Sequence, residues 1–299
     1  MNCSPLSQAE RLAASLIKGL RAELFLTPKP GLVDLIDSGS HPDLSLAKML
    51  ASIDLITDYF DDLLSAFAAG ATLAELIFIG RRAEERMLAT LGTNTHKGAI
   101  FLGGLLLVAR FRATAAEQPL QPTVAAVARE VLAFSPPAIT NGQAARATYR
   151  TGGVLAEARA GLPCLFGVAL PAYRQALRAG GSAQHAAFFM LSRLMQTVED
   201  TTALHRCGRD GLAQLQRDGR LLEAMLTEGF DPVPLLTKLN AEYRTMNLTM
   251  GGVADLLGVA FGCLAYEGYA LGEGMWPVAE WREFAAWGEM AGVGVTGGG

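Results

Sequence analysis

Hydrophobic residues recur at intervals of three and four positions along most of the chain. Leu12, Leu16 and Leu20 follow this spacing near the N-terminus, and Leu191 and Leu194 follow it further along. Such spacing places apolar side chains on one face of a helix, whereas the strict alternation typical of a strand is scarce. Glycine and proline separate the helical segments, as in "SPPAITNG" and "GFDPVP". The pattern predicts an all-α protein of about ten to twelve helices.

No internal repeat or low-complexity linker divides the 299-residue chain, so we expect one domain spanning residues 1–290. Residues 291–299 are rich in glycine and are expected to form a flexible tail. The tail includes "GVGVTG", which fits the letters of a dinucleotide-binding motif but has no helix after it to hold a pyrophosphate. The sequence contains no GxxxxGK[ST] pattern, so a bound nucleoside triphosphate would not use a P-loop.

The composition is unusually apolar and raises the question of a membrane. Hydrophobic residues make up 51% of the chain, charged residues make up 18%, and the mean hydropathy is +0.26. The longest apolar run, Gly98–Ala109, is nevertheless shorter than the roughly 20 residues that a membrane-spanning helix needs. A net charge of −4 gives no general basic field for nucleic acid. We therefore expect a soluble protein with neither a membrane nor a nucleic-acid partner.

The cysteines and the N-terminus indicate a cytoplasmic location. The N-terminal stretch "MNCSPLSQAERLAASL" lacks the basic-then-apolar order of a signal peptide. No CxxC spacing occurs among the four cysteines, which are Cys3, Cys164, Cys207 and Cys263. Reduced thiols are the simplest interpretation of this arrangement.

The stretch "GTNTHKGAIF" places five consecutive polar residues before an apolar segment. If Asn94 or Thr95 caps the following helix, His96 and Lys97 lie in its first turn, where free N–H groups and the helix dipole favour an anion. An ordinary capped helix with a solvated lysine is the alternative. A lysine in the first turn works against the dipole, which favours the phosphate-binding interpretation.

The stretch "TPKPGLVDLIDSGSHPDL" combines stiffening prolines with a polar loop. Its carboxylates, including Asp34, are suited to Mg²⁺, while Lys29 is suited to phosphate and His41 adds an imidazole. A structural loop built on proline, glycine and Asx turns is equally compatible with this composition.

Two further stretches place polar residues at helical spacing. In "IGRRAEERMLAT", Glu84 shares a face with an apolar residue, while the remaining charges fit a solvated, ion-paired surface. In "NGQAARATYRTGGVLAEARAGLP", Arg146, Tyr149, Gly153 and Glu157 are three or four residues apart and can share one side of a helix. A packed helix pair would explain the second pattern equally well.

Two further stretches contain acidic residues near predicted helix ends. In "LMQTVEDTTALHRCGRDGL", Asp200, His205 and Arg206 fit a metal-phosphate site, although a capped helix restart gives the same pattern. In "NLTMGGVADLLGVAF", Asp255 is the only charge on an apolar helix. A lone buried acid is costly unless it is paired, so Asp255 either partners an arginine or serves the chemistry.

Taken in order, the motifs "TPKPGLVD", "DSGSH.D", "AE..M", "NTHKGAIF", "AR..Y...G...EA..G.P", "DTT.LHR.G" and "GG.ADLL" resemble the triphosphoribosyl-dephospho-CoA synthase family. The resemblance covers Thr27 to Leu257. Family members occur beside citrate lyase and beside malonate decarboxylase, and "DSGSH" with "NLTMGGVADLL" is more similar to the malonate decarboxylase branch.

The resemblance implies an all-helical enzyme that transfers the triphosphoribosyl group of ATP to the 2′-hydroxyl of 3′-dephospho-CoA and releases adenine. The product is the precursor of the prosthetic group of an acyl-carrier subunit, to which a phosphoribosyl-dephospho-CoA transferase attaches it. ATP is then a substrate, Mg²⁺ the expected cofactor and a homodimer a possible assembly. Two alternatives remain, a nucleosidase-type hydrolase that uses water as acceptor and a catalytically silent helical partner of a decarboxylase.

The resemblance also implies that the polar residues of the motifs belong to one site. The expected catalytic residues are Asp34, Glu84, His96 and Asp200, and among them Asp34, Glu84 and Asp200 are expected to hold Mg²⁺. The expected substrate-binding residues are Lys29, His41, Asn94, Thr95, Lys97, Arg146, Tyr149, Glu157, His205, Arg206 and Asp255.

The chain departs from the family pattern near several of these positions. Leu91 and Cys207 stand where family members have glycine, Thr202 replaces an amide, and Val253 replaces a serine. Glycine is required for backbone conformation where the residue adopts positive φ. The two glycine replacements therefore suggest an altered substrate preference if either position requires that conformation.

Overall fold

The computed structural model describes residues 4–93, 95–134 and 141–271, except for the side chains of residues 141–143 and 146. The expected tail at 291–299, its "GVGVTG" stretch and the predicted domain boundary at residue 290 lie outside the described residues. The predicted roles of Asn94 and of the Arg146 side chain lie outside them as well.

Within the described residues the chain forms twelve α-helices and no strand, which confirms the all-α prediction. A π-helical segment, Cys164–Ala169, runs directly into the eighth helix. The helices are α1 (Pro5–Phe25), α2 (Leu46–Ala68), α3 (Leu73–Leu91), α4 (Lys97–Ala115), α5 (Leu120–Ala133), α6 (Asn141–Tyr149), α7 (Gly153–Arg159), α8 (Leu170–Arg178), α9 (Ala183–Thr197), α10 (Thr201–Thr227), α11 (Val233–Met246) and α12 (Gly251–Tyr266).

Side-chain caps explain where several helices begin. Ser4, Ser45 and Ser182 each accept a hydrogen bond from a backbone N–H in the first turn of α1, α2 and α9. Thr72 and Glu75 form a capping box at the start of α3, in which each side chain satisfies a backbone donor near the other residue. These helix starts follow from local sequence alone.

Helices α1 and α12 pack backbone against backbone at the centre of the core. A Cβ at Gly19 would overlap the backbone of Gly258 and Gly262, and a Cβ at Gly262 would lie 2.7 Å from the Cα of Leu16. The small residues therefore allow an approach that any side chain would prevent. This close packing fixes the C-terminal end of α1 beside the N-terminal half of α12.

Helix α4 is the one single helix in the described part of the chain that is long and apolar enough to cross a membrane. In this structure 61% of its most apolar window is buried, and the helix packs against α1, α2, α3, α5 and α12. Gly103 and Gly104 let the rings of Phe60 and Tyr59 on α2 approach its backbone closely. The helix is thus a core element of the bundle, and its N-terminus opens onto the site described below.

The loop between α1 and α2 is fastened to the connection between α11 and α12. Gly31 has φ +71°, and a Cβ there would overlap the carbonyl of Leu248. The Gly31 carbonyl accepts a hydrogen bond from Thr249 Oγ1 at 2.8 Å, while its N–H donates to Asn240 at 2.9 Å. The proline- and glycine-rich loop is therefore an ordered part of the core.

Two backbone breaks correct the helical pattern predicted from sequence. Arg150 and Gly153 adopt positive φ between α6 and α7, so Tyr149 and Glu157 do not share one helix face as predicted. Gly208, with φ 65° and ψ −161°, kinks α10 after its second turn.

The glycine replacements noted in the sequence do not meet strained backbone. Leu91 is the last residue of α3, and the left-handed position falls on Gly92 that follows it. Cys207 lies within α10 without positive φ, and the left-handed position there falls on Gly208. Neither departure therefore disturbs the local backbone.

Candidate active site

A cavity of about 1300 Å³ lies where the N-termini of α4, α10 and α12 meet. Helices α1, α2, α3, α5 and α7 and the loop that follows α1 also contribute to its wall. The predicted site residues that line it are His41, Glu84, Thr95, His96, Lys97, Glu157, His205, Arg206 and Asp255. The motifs are therefore brought together from widely separated parts of the chain.

The N-terminus of α4 is organised differently from the sequence-based prediction. The helix begins at Lys97, and His96 occupies the N-cap position without a side-chain capping bond. Thr95 Oγ1 instead contacts Met87 Sδ at 3.4 Å, so a cap by Thr95 was wrong. The group next to this helix terminus is the carboxylate of Asp255 on α12, which the backbone N–H of Ala99 stabilises.

Asp200 serves two helix N-termini at once. Its fully buried carboxylate accepts hydrogen bonds from the N–H groups of Thr202 (2.8 Å) and Ala203 (2.9 Å) at the start of α10. Its second oxygen accepts from Val253 N–H of α12 at 2.9 Å. With both oxygens occupied by backbone donors, Asp200 joins α10 to α12, and it does not border the cavity.

Lys29 and Asp34 are held inside the protein. Lys29 is 0% exposed, and its Nζ donates to the Glu23 carboxylate at 2.6 Å and to the Glu23 carbonyl. The Asp34 carboxylate accepts from the N–H groups of Lys29, Ile36 and Asp37. The predicted phosphate ligand and the predicted catalytic acid are therefore satisfied by other groups of the chain.

Glu23, which the sequence analysis did not identify, lines the cavity. It lies in the last turn of α1, and burial raises the pKa of its carboxyl while the Lys29 ammonium lowers it. A buried acid in an otherwise apolar turn, six residues before Lys29 in the conspicuous "TPKPG" motif, was the available sequence signal.

His96 is a buried, neutral imidazole with one unused nitrogen. Ser52 Oγ donates its proton to the carbonyl of Met49 at 2.8 Å, so it accepts a hydrogen bond from His96 Nδ1–H. His96 Nε2 then carries a lone pair, and it has no hydrogen-bond partner in the described structure. Burial, reinforced by the charge of Lys29, lowers the pKa of His96 to about 4. The ring is therefore a neutral side chain whose Nε2 is an unused hydrogen-bond acceptor.

Arg206 forms the centre of a polar network at the opposite wall. Its guanidinium donates to the carbonyl of Ser40 at 2.6 Å, to Asn247 Oδ1 at 3.0 Å and to His41 Nδ1 at 3.2 Å. The other nitrogen of His41 bonds to Thr249 at 2.8 Å. Burial and the Arg206 charge lower the pKa of His41 to about 4, so His41 is neutral.

The cationic groups of the cavity differ in how they are neutralised. Lys97 Nζ contacts Glu84 Oε2 at 2.5 Å, and both side chains remain partly exposed. Arg206 has no carboxylate partner among the described residues, so its charge is available to an anion. Arg81 and Arg159, which the sequence analysis did not select, also line the cavity.

The remaining predicted residues have peripheral or structural positions. Glu157 lines the cavity, but its carboxylate accepts from Cys164 N–H at 2.6 Å at the start of the π-helical segment. Tyr149 does not line the cavity, and its carbonyl accepts from Arg209 at 3.0 Å. His205 is exposed at the cavity mouth.

The predicted metal ligands Asp34, Glu84 and Asp200 are not assembled into one site. No three His, Cys, Asp or Glu side chains in the described parts of the chain lie close enough together to hold a metal ion. The physical reason is that backbone N–H groups occupy Asp34 and Asp200, while Lys97 neutralises Glu84. The described residues therefore contain no ready-made magnesium cage.

Comparison with known proteins identifies the family. The family model described as "ATP:dephospho-CoA triphosphoribosyl transferase" matches residues 9–272. A probable 2-(5''-triphosphoribosyl)-3'-dephosphocoenzyme-A synthase from Pseudomonas putida is 37% identical over 268 residues, covering 84% of this chain and 93% of that protein. The 2-(5''-triphosphoribosyl)-3'-dephosphocoenzyme-A synthase of Klebsiella pneumoniae is 34% identical over 267 residues, covering 86% and 95%.

No solved structure gave a significant match. The family model nevertheless covers most of the chain, and both relatives align over nearly their full length. The chain therefore belongs to the ATP:dephospho-CoA triphosphoribosyl transferase family and is an enzyme of the transferase class.

Proposed function

We propose that the enzyme transfers the triphosphoribosyl group of ATP to the 2′-hydroxyl of 3′-dephospho-CoA, with release of adenine, to supply a malonate decarboxylase. The observation that supports this most directly is the cavity itself, where helix N-termini converge. It is lined by Arg206, which has no carboxylate partner among the described residues, and by Asp255, which has no cationic partner among them. Its volume exceeds the roughly 300–1,000 Å³ of an ordinary small-molecule pocket, as two large substrates require.

The triphosphate is best accommodated by the cations that border the cavity. Arg206 is free of carboxylates among the described residues, Lys97 lies at the start of α4, and His205 is exposed nearby. Guanidinium and ammonium groups at a helix N-terminus favour phosphate through charge and hydrogen bonding. Lys29 is no longer a good candidate, because Glu23 already binds it within the core.

The reaction is a glycosyl transfer, and its demands fit a cavity of mixed character. The bond between C1′ and N9 of adenine breaks, a bond forms between C1′ and the 2′-oxygen, and the hydroxyl proton is lost. Such a reaction needs an anion clamp, a proton donor for the leaving base and an acceptor for the hydroxyl proton. His96 Nε2 is available as a hydrogen-bond acceptor in this wall.

We propose that magnesium enters the site on the triphosphate. Mg²⁺ is commonly bound through substrate phosphates with only one or two carboxylates from the protein. Glu84 is the predicted metal ligand that borders the cavity, and it is paired there with Lys97. A Mg²⁺ titration in the absence and presence of ATP tests this, because tight binding to the protein alone contradicts it.

The test of the reaction is mass spectrometry of the purified chain with ATP, 3′-dephospho-CoA and Mg²⁺. Adenine and the triphosphoribosyl adduct appearing in equal amounts support the transferase. Adenine without the adduct supports a nucleosidase-type hydrolase instead. If neither adenine nor the adduct forms, the result supports a catalytically silent helical partner.

The malonate decarboxylase assignment rests on the "DSGSH" and "NLTMGGVADLL" stretches. Both pathways use the same product, so the enzyme reaction cannot separate them. Deletion of the gene in its own organism, followed by mass spectrometry of acyl-carrier subunits, separates them. Loss of the prosthetic group from the malonate decarboxylase subunit is expected, whereas loss from a citrate lyase subunit overturns the assignment.

We also propose that the protein is cytoplasmic and forms a homodimer. Cell fractionation tests the location, and light scattering of the full chain tests the oligomeric state.

A further inference from the structure

Three carboxyl groups from different segments of the chain act on one another electrostatically, and two of them border the cavity. Glu23 comes from α1, Asp200 precedes α10, and Asp255 comes from α12. The charges of Asp200 and Glu23 both act on Asp255. Three mutually repelling negative charges are unfavourable where water is scarce, so the carboxyl with the fewest partners is the one that retains a proton.

The partners of the three carboxyls are unequal. Glu23 is paired with the Lys29 ammonium at 2.6 Å. Asp200 accepts three backbone hydrogen bonds at 2.8–2.9 Å from the starts of α10 and α12. Asp255 has only the backbone N–H of Ala99 and no cation among the described residues. Because of these partners, Glu23 and Asp200 are the two carboxyl groups that are ionised.

The position of Asp255 sets it apart as well. Glu23 and Asp255 border the cavity and Asp200 does not, but Glu23 is committed to Lys29. The Asp255 carboxylate lies against Gly98, where a Cβ would overlap it. The side chain therefore lies between α12 and α4 and borders the cavity.

The directions in which the surroundings shift the three pKa values agree with this assignment. Burial, followed by the charges of Asp200 and Glu23, raises the pKa of Asp255 well above its ordinary value, although the Ala99 N–H opposes the shift. Burial also raises the pKa of the other two carboxyls, but the hydrogen-bond donors of Asp200 and the ammonium beside Glu23 oppose it.

We propose that Asp255 is the general acid that protonates N7 of adenine as the base departs, an inference that rests on the proposed transfer reaction. The C1′–N9 electron pair moves into the purine while Asp255 gives its proton to N7, so that neutral adenine leaves. The 2′-oxygen bonds to C1′ and loses its proton to water, and a proton from water later restores the Asp255 carboxyl, so that the net proton count is unchanged. The carboxyl is protonated again before the next turnover.

The test compares Asp255→Asn with the wild type on two nucleotides. With ATP, the variant should release adenine about 10²–10⁴-fold more slowly, which is the range for loss of a general acid. With 7-methyl-ATP, whose purine already carries a positive charge and needs no proton, the variant should approach the wild-type rate. A structural role for Asp255 would slow both nucleotides equally and would overturn the proposal.

Two controls make the result decisive. Asp218→Asn alters another buried aspartate, whose carboxylate accepts a hydrogen bond of 2.9 Å from the Tyr243 hydroxyl. Asp218 does not line the cavity, so this variant should leave the ratio of the two rates unchanged. The wild type should turn over 7-deaza-ATP, which has no N7 to protonate, far more slowly than ATP. A wild-type rate on 7-deaza-ATP equal to that on ATP overturns the proposal even if 7-methyl-ATP fails to bind.

The proposed transfer and the role of Asp255 fail in different ways. If the wild type forms no adduct from ATP, the transfer reaction itself is wrong. If the wild type forms the adduct and Asp255→Asn forms it equally fast, the reaction stands and the assignment of the acid is wrong.

Discussion

The carboxylate of Asp255 on α12 lies so close to Gly98, in the first turn of α4, that a Cβ at residue 98 would overlap its Oδ2 atom. The residues are separated by more than half of the chain, yet each limits what the other can be. Glycine at position 98 therefore serves side-chain placement rather than backbone freedom, because it does not have positive φ.

Gly98→Ala should displace the Asp255 carboxyl and lower the rate of adenine release at least tenfold. The overlap involves a side chain held between two packed helices, so it cannot be relieved cheaply. Turnover and thermal unfolding should be measured together. Gly167→Ala is the matched control, because a Cβ there meets no atom within 4 Å and Gly167 has no positive φ. Full activity in Gly98→Ala would show that the carboxyl position is unimportant.

Lys97→Ala should weaken ATP binding by about tenfold or more, which corresponds to loss of a charged hydrogen bond. Isothermal titration with ATP measures the change. Lys238→Ala is the control, since Lys238 forms a surface pair with Glu242 away from the cavity. Unchanged affinity in Lys97→Ala would remove this lysine from the proposed phosphate site.

Asp200→Asn should lower the free energy of unfolding by about 2–4 kcal/mol, because the amide group must face backbone N–H donors of α10 or α12. Urea denaturation of the full chain measures it. Asp210→Asn, on the exposed side of α10, should change stability little. Equal stability of Asp200→Asn and wild type would contradict the double-capping role.

Cys207→Gly should leave activity within about threefold of wild type and cost about 1 kcal/mol of stability, because Cys207 occupies ordinary helical backbone. Gly208→Ala should instead impair both folding and turnover, since φ 65° with ψ −161° strains any side chain. Enzyme assays and thermal melts of the pair are the measurement. A large gain in activity from Cys207→Gly would mean that the departure from the family pattern impairs this chain.

The buried histidines predict a loss of stability in acid. In the folded protein the pKa of His96 is about 4, against an ordinary value of 6.5, so only the unfolded chain binds the proton between these values. The contribution of neutral His96 to the free energy of unfolding is therefore complete above pH 6.5 and is lost as the pH falls towards 4. The loss is up to about 3 kcal/mol. His41 acts in the same direction.

Urea unfolding at several pH values between 4 and 7 tests this with His96→Asn, which can keep the contact to Ser52 but does not titrate there. The variant should lose less stability across the range than the wild type does. His205→Asn serves as the control because His205 is exposed. Identical pH profiles for wild type and His96→Asn would show that His96 is not buried in its neutral form. Carboxyls with shifted pKa values titrate in all three proteins and cancel in the comparison.

The helices could be predicted from the sequence because their determinants are local. Hydrophobic spacing defines α1 and α9, and the capping box of Thr72 and Glu75 marks the start of α3 without reference to the rest of the fold. The lone charge of Asp255 on an apolar helix was also visible, because burying an unpaired acid is costly whatever surrounds it. The family could also be identified from the sequence, because the motif resemblance depends only on the types of residues and their order.

The tertiary structure alone decided which polar residues face the cavity. Asp34, Asp200 and Asp255 are all aspartates in conspicuous motifs. Backbone N–H groups occupy both of the first two, whereas the third borders the cavity and has one backbone N–H partner among the described residues. Lys29 was assigned to phosphate and is bound to Glu23 instead. These differences come from contacts between segments that are distant in sequence. Local spacing fixes a helix and its exposed face, but the partner that satisfies a buried charge is supplied by whichever helix packs against it.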